Sequence, residues 1–260
     1  MERMNGKCYL VGAGPGDPGL LTVKGKQCLS VADVLVYDAL SSLEFLRMVP
    51  KDCEKIYAGK RASDHAIPQG GINELIVEKA REGKTVVRLK GGDPMIFGRG
   101  GEEAAELAEA GVPFEIVPGI SSAIGGAAYA GIPVTHRDHC SQLTLFTGHE
   151  DPSKEQTSLD YAKLAEAEGT RVFLMGVSRL REITSALIEH GADPEIPMAL
   201  TRWATTGRQR TIEGTLGSMA DIAEKEHFKS PAVAVLGNVV RERSKINWFE
   251  NRPLFGQRVV

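Results

Sequence analysis

A chain of 260 residues with 42% hydrophobic and 25% charged residues holds enough apolar material for a substantial core, in one large domain or two smaller ones. Its formal charge of -3 gives no basic footprint for nucleic acid. No apolar run reaches the roughly 20 residues of a membrane-spanning helix, so neither nucleic acid nor membrane is expected as a partner.

The amino terminus enters a strand pattern directly, without a leader signature, which reads as cytoplasmic. Short apolar runs rich in β-branched residues then alternate with helical patterns, the signature of an α/β fold with a largely parallel sheet. The expected strands are Cys8 to Gly12, Val34 to Asp38, Lys55 to Tyr57, Thr85 to Leu89 and Phe114 to Val117. Helices are expected over Asn73 to Glu82 and over Glu102 to Ala110, the second closed by Gly111 and Pro113. Ser121 to Ala130 is small and apolar throughout, so it reads as a buried helix. The pattern restarts at Val134, which puts a domain boundary there and divides the chain into 1–134 and 135–260.

In the second half, strands are expected at Leu143 to Thr147, Arg171 to Met175, Met198 to Thr201, Arg208 to Glu213 and Ala232 to Leu236. Helices are expected near Leu159 to Glu166, Arg179 to His190 and Ser218 to Glu224. The strands Met198 to Thr201 and Arg208 to Glu213 follow one another with only a Gly207 turn between them. They read as a hairpin, so this sheet is expected to be mixed. The four cysteines, Cys8, Cys28, Cys53 and Cys140, are widely spaced with no Cys-x-x-Cys pair, and no metal site is expected.

The loop after the first strand, Gly12-Ala-Gly14, invites a dinucleotide-binding reading, with Asp38 where a ribose-binding acid would stand. The third glycine of that pattern is here Asp17, flanked by Pro15 and Pro18. Proline removes N–H donors and an aspartate repels pyrophosphate, so the loop reads better as a rigid turn lining a ligand.

The run VGAGPGDPGLLT from Val11 to Thr22 resembles the first signature of the tetrapyrrole methyltransferase family. VRLKGGDPMIFGRGGEE (Val87 to Glu103) is similar to its second, and VPGISS (Val117 to Ser122) with AGIPVTHR (Ala130 to Arg137) to its third. The resemblance continues through FLMG (Phe173 to Gly176), RWATT (Arg202 to Thr206) and PAVAVLGNVV (Pro231 to Val240), nearly the whole chain.

This resemblance implies two αβα domains with a cleft between them, assembled as a homodimer. It implies C-methylation of uroporphyrinogen III at C2 and C7, through precorrin-1 to precorrin-2, in siroheme or cobalamin biosynthesis. S-Adenosyl-L-methionine would be the methyl donor and S-adenosyl-L-homocysteine the product. Sister enzymes that methylate later corrin precursors, diphthamide intermediates or ribosomal RNA share the fold and stay open as alternatives.

By resemblance the donor contacts fall on Pro15, Gly91, Gly92, Asp93, Ile96, Ser121, Ser122, Met175 and Ala204. The proton acceptor corresponds to Asp38 and the proton donor to Lys60. Physical reasoning adds that Gly91 and Gly92 follow a strand directly, where backbone can approach a ligand. The bland alternatives are a turn capped by Asp93, a core-filling Met175 and a structural ion pair between Asp38 and Lys60. A substrate with eight carboxylates would favour cations in the motifs, and Lys60, Arg61, Arg88, Arg99, Arg137 and Arg202 are the candidates.

Overall fold

The computed structural model describes residues 6–38, 43–59, 67–149 and 157–257. Lys60 and Arg61 lie outside the described residues. Packing divides the chain into two units, Met1–Ser121 and Ser122–Val260.

The first unit is built on a five-stranded sheet of β1 (Lys7–Gly12), β2 (Val34–Tyr37), β3 (Glu54–Tyr57), β4 (Thr85–Lys90) and β5 (Phe114–Val117). Its order is β3-β2-β4-β1-β5 and every pairing is parallel. Three helices cover it: α1 (Val23–Ser30), α2 (Gln69–Arg81) and α3 (Gly100–Glu109). Side chains alternate across a strand, and the two faces separate accordingly. Cys8, Leu10, Val34, Val36 and Val86 pack with Ile72, Ile76 and Leu107 of α2 and α3. Val11, Leu35, Val87 and Leu89 pack with Cys28 and Leu29 of α1 and with Phe45.

This arrangement fixes where a ligand can sit. The helices that follow the neighbouring strands β1 and β4 leave to opposite faces of the sheet, which makes the carboxyl ends of β1 and β4 a topological switch point. The two glycine motifs stand there.

The second unit begins with α4 (Ser122–Tyr129) and holds β6 (Leu143–Thr147), α5 (Tyr161–Glu166), β7 (Thr170–Leu174), α6 (Leu180–Glu189), β8 (Pro197–Arg202), β9 (Arg210–Thr215), α7 (Met219–Lys225), β10 (Ala232–Leu236) and α8 (Arg243–Ile246). The sheet order is β6-β7-β10-β8-β9. β6 and β7 are parallel while β7–β10, β10–β8 and the β8–β9 hairpin are antiparallel, so the sheet is mixed as expected.

The division falls earlier than the expected boundary between 134 and 135. The cause is α4: its small residues let it lie flat on β7 and β10, where Ala123, Ala127 and Ala130 join Val172, Val233 and Val235 in one core. A side chain at Gly126 would come within 2.9 Å of Val233. The helix therefore belongs to the sheet it packs on, not to the one it follows.

Candidate active site

The loop after β1 is held by its own side chains. Asp17 accepts a hydrogen bond from the Gly19 N–H at 2.8 Å, and Thr22 caps α1 by accepting from the Gly25 N–H at 3.0 Å. The first α-helix thus starts at Val23, well past the glycines, and no helix N-terminus opens on the Gly12–Gly14 turn as a phosphate cradle requires.

Three loops meet at the switch point. Gly14 and Gly92 exchange backbone hydrogen bonds of 3.1 and 2.8 Å, forming a two-residue bridge between the loops after β1 and β4. The loop after β5 closes on both: a Cβ at Gly119 would stand 2.3 Å from the Gly92 carbonyl oxygen and 2.7 Å from Gly12 Cα. Glycine is required at Gly12 and Gly119 because backbone meets backbone there. Asp93 then ties the set together, its Oδ1 accepting from the Met95 N–H at 2.8 Å and its Oδ2 from the Gly119 N–H at 2.9 Å. The turn-capping role weighed for Asp93 is therefore real, and it reaches across to a second loop.

Of the expected donor contacts, Pro15, Gly91, Gly92, Asp93, Ile96 and Ser121 belong to this first unit. Pro15, Gly91, Gly92 and Ile96 are partly accessible, while Asp93 and Ser121 are buried. Ser122, Met175 and Ala204 belong to the second unit.

Met175 is not core filler. It directly follows β7, is 45% exposed and holds a left-handed backbone with φ of 59°. Ala204 is buried between Trp203 and Thr205, which have φ of 49° and 67°. Such conformations cost free energy in residues with side chains and gather at functional sites. The loop after β4 shows the same at Phe97 and Arg99, with φ of 52° and 59°.

Asp38 stands one residue past β2 and its side chain is 25% exposed. Arg88 Nη2 lies 3.5 Å from its Oδ2. Arg88 itself is 4% exposed, which removes it from the candidate cations for substrate carboxylates. It lies in a buried charge network instead. Its Nε donates to Glu103 Oε1 at 3.2 Å, Lys90 Nζ donates to the same oxygen at 2.7 Å, and Gln69 Nε2 does so at 3.1 Å. Burial pulls the Lys90 ammonium below its ordinary pKa, with the Arg88 charge adding to the effect.

Glu103, fully buried on α3, is the residue that motif reading passed over. Its signal was available: Arg88 and Lys90 alternate with Val87 and Leu89 in a strand that is central, and buried cations require a buried acid. Arg99 pairs with Glu102 through bonds of 2.9 and 2.6 Å, Arg137 is exposed, and Arg202 lies over the Trp203 ring. Among the described residues no three His, Cys, Asp or Glu come together as a metal-holding group. Burial pushes the Cys8 thiol up to about 12, so it is no nucleophile at neutral pH.

The sequence profile of the tetrapyrrole (corrin/porphyrin) methylases matches residues 7–220. The chain belongs to this family. It is 52% identical over 240 residues to the S-adenosyl-L-methionine-dependent uroporphyrinogen III methyltransferase of Methanosarcina barkeri, covering 92% of this chain and 94% of that protein. It is 47% identical over 260 residues to the uroporphyrinogen-III C-methyltransferase of Bacillus subtilis, covering all of this chain but only 54% of that longer relative. The chain thus spans about half the length of the Bacillus relative. Among solved structures, the uroporphyrin-III C-methyl transferase of Thermus thermophilus complexed with S-adenyl homocysteine superposes with a TM-score of 0.78. The two are 39% identical, and the match covers 91% of this chain and 99% of that one. No helix among the described residues is long and apolar enough to cross a membrane.

Proposed function

We propose that this chain is an S-adenosyl-L-methionine-dependent methyltransferase that methylates uroporphyrinogen III at C2 and then C7, through precorrin-1 to precorrin-2. The observation that carries the reading is the convergence of Gly12, Gly92 and Gly119 at the switch point, in a chain 52% identical to a methyltransferase of that substrate over nearly the length of both. Backbone contact and the Asp93 bond lock the three loops together at the switch point, where α/β sheets bind ligands.

The donor, when bound, supplies a methyl group on a positively charged sulfur, open to in-line attack by an electron-rich pyrrole carbon. The protein's part is to hold and orient. Gly91 and Gly92 let the donor approach the main chain, Asp93 and the Gly14–Gly92 bridge keep their loop in place, and Pro15 and Ile96 provide apolar contact. By the family resemblance, Ser121, Ser122, Met175 and Ala204 are the remaining donor contacts. The small Ala204 and the exposed thioether of Met175 suit a flat or apolar ligand surface.

Methylation leaves a proton to remove from the substrate. Asp38, accessible and acidic just past β2, accepts a ring proton, and Lys60 supplies one at another ring position as a second ring proton departs to solvent, so that one proton leaves net for each methyl group gained. We assign the chain to the cytoplasm and to a homodimer on the family resemblance.

The test is anaerobic incubation of the purified protein with uroporphyrinogen III and S-adenosyl-L-methionine, followed by mass analysis. A gain of two methyl groups, passing through one, is expected. No gain on this substrate, with turnover on a later corrin precursor, would replace the substrate assignment. Asp38→Asn is expected to lower kcat by about 10²-fold or more while leaving S-adenosyl-L-homocysteine affinity unchanged.

A further inference from the structure

Strand alternation brings charges to one place. Val34, Val36 and Asp38 point to the α2/α3 face of the first sheet, and so do Val86, Arg88 and Lys90; the register sets Val36 beside Arg88. Along this face the apolar core therefore gives way, at the carboxyl end of the strands, to Asp38, Arg88 and Lys90. Below them Glu103 is fully buried on α3, and Gln69 of α2 bonds both Glu103 and Asn73.

The three cationic or amide donors converge on a single oxygen of Glu103, and nothing among the described residues bonds its Oε2. The Arg88 guanidinium makes two hydrogen bonds and one ion-pair contact. Its Nε bonds Glu103, its Nη1 bonds the Leu89 carbonyl at 3.1 Å, and its Nη2 faces Asp38. Burying such a network stabilises less than apolar packing of equal volume would. What it does supply is a planar cation that cannot rotate, with one edge turned to the carboxylate at the accessible end.

We propose that Arg88, locked by Glu103, is a positioning residue that fixes the orientation of the Asp38 carboxylate for proton transfer. The inference rests on the reading of Asp38 as proton acceptor. Arg88 and Glu103 act through Asp38 and touch neither substrate nor donor. Lys90 balances the charge: with Arg88 removed, Glu103 and Lys90 remain a neutral pair, so the network survives as a folded unit while Asp38 loses the Arg88 contact.

A double-mutant cycle tests this. Initial rates of methyl transfer are measured for the wild type, Asp38→Asn, Arg88→Met and the double variant, with S-adenosyl-L-homocysteine affinity by calorimetry. Arg88→Met is expected to lower kcat by on the order of 10- to 10²-fold, with donor affinity unchanged. In the Asp38→Asn background it is expected to cost nothing further. A residue that only supported the fold would cost the same factor in both backgrounds, and that outcome overturns the proposal. Full turnover in Asp38→Asn strikes the proton-acceptor reading itself and takes the positioning role with it, so the two failures are distinct.

Should Arg88→Met not fold, Arg88→Lys carries the test. It keeps the charge but lacks the planar fork, so a smaller loss of kcat is expected, again absent beside Asp38→Asn. Wild-type kcat in Arg88→Lys overturns the proposal.

Discussion

At the scale of single residues, the site is set by where side chains are missing or strained. Gly119 has no room for a methyl group, because the Gly92 carbonyl oxygen occupies the position its Cβ would take. Gly119→Ala must push the loop after β5 away from the Gly14–Gly92 bridge and break the bond to Asp93. We expect a loss of about 1–3 kcal/mol in denaturant unfolding together with a clear fall in S-adenosyl-L-homocysteine affinity. Unchanged affinity would mean that these loops do not form the donor site. Met175 makes the opposite case. It is exposed and pays for a left-handed backbone that glycine adopts freely. Met175→Gly is therefore expected to stabilise the fold by about 1 kcal/mol while weakening donor binding. A variant that is both less stable and equally tight in binding would show that this residue serves packing alone.

At the scale of elements, one arginine sits at the centre of the contacts that join the tail of the second unit to its sheet. Arg243 of α8 donates to Glu213 on β9 at 2.9 Å, pairs with Glu250 and bonds the Ala130 carbonyl at the end of α4. Burial raises the Glu250 carboxyl, but bonds from Thr211, Gln209 and Arg243 more than offset it and hold it below the usual range. Removing one member of such a set leaves a buried charge behind, so Arg243→Met is expected to cost about 3–5 kcal/mol in the second unit. A cost near zero in urea unfolding would mean that solvent replaces the arginine. Two of these contacts have no local signature, since Glu213 and Ala130 lie 30 and 113 residues from Arg243. By contrast, β5 and β10 were legible because short apolar runs closed at both ends by proline or glycine leave little choice of conformation, and β1 and β6 because each runs into a glycine. The hairpin β8–β9 was legible from its turn. The helix α1 fits the alternation of strands and helices, but its bounds were not legible: VKGKQCLS has a mid-helix glycine and a weak apolar stripe, and what starts it is the Thr22 cap. Which sheet α4 would choose, and the Glu103 partner of Arg88, depend on packing between distant segments that periodicity does not report.

At the scale of the whole molecule, the carboxylates determine how the two units respond to acid. Bonds from Lys24 and Lys7 hold Glu115, in the first unit, at about 2, and bonds from His139 and Lys245 hold Glu242, in the second, at about 2. Both pKa values are depressed in the folded state, so the unfolded chain takes up protons first. The stability these groups contribute is fully present above the ordinary carboxylate value of 4.5 and is lost as pH falls towards about 2. The lysines held above 10.5 by carboxylate partners, Lys7 and Lys79, act in the opposite window: their contribution is present at neutral pH and disappears only as pH rises beyond that value. Thermal unfolding followed against pH should therefore be nearly flat from neutrality down to about 5 and then decline in both units, modestly because solvent screens these pairs. Glu115→Gln should flatten the acid limb of the first unit and leave that of the second, because the two carboxylates lie in separately packed units. If Glu115→Gln leaves the acid limb of the first unit unchanged, the Lys7–Glu115–Lys24 cluster is too well solvated to contribute. Molar salt, which screens exposed charges, should then have no effect on that limb either, whereas a contributing cluster would weaken with added salt.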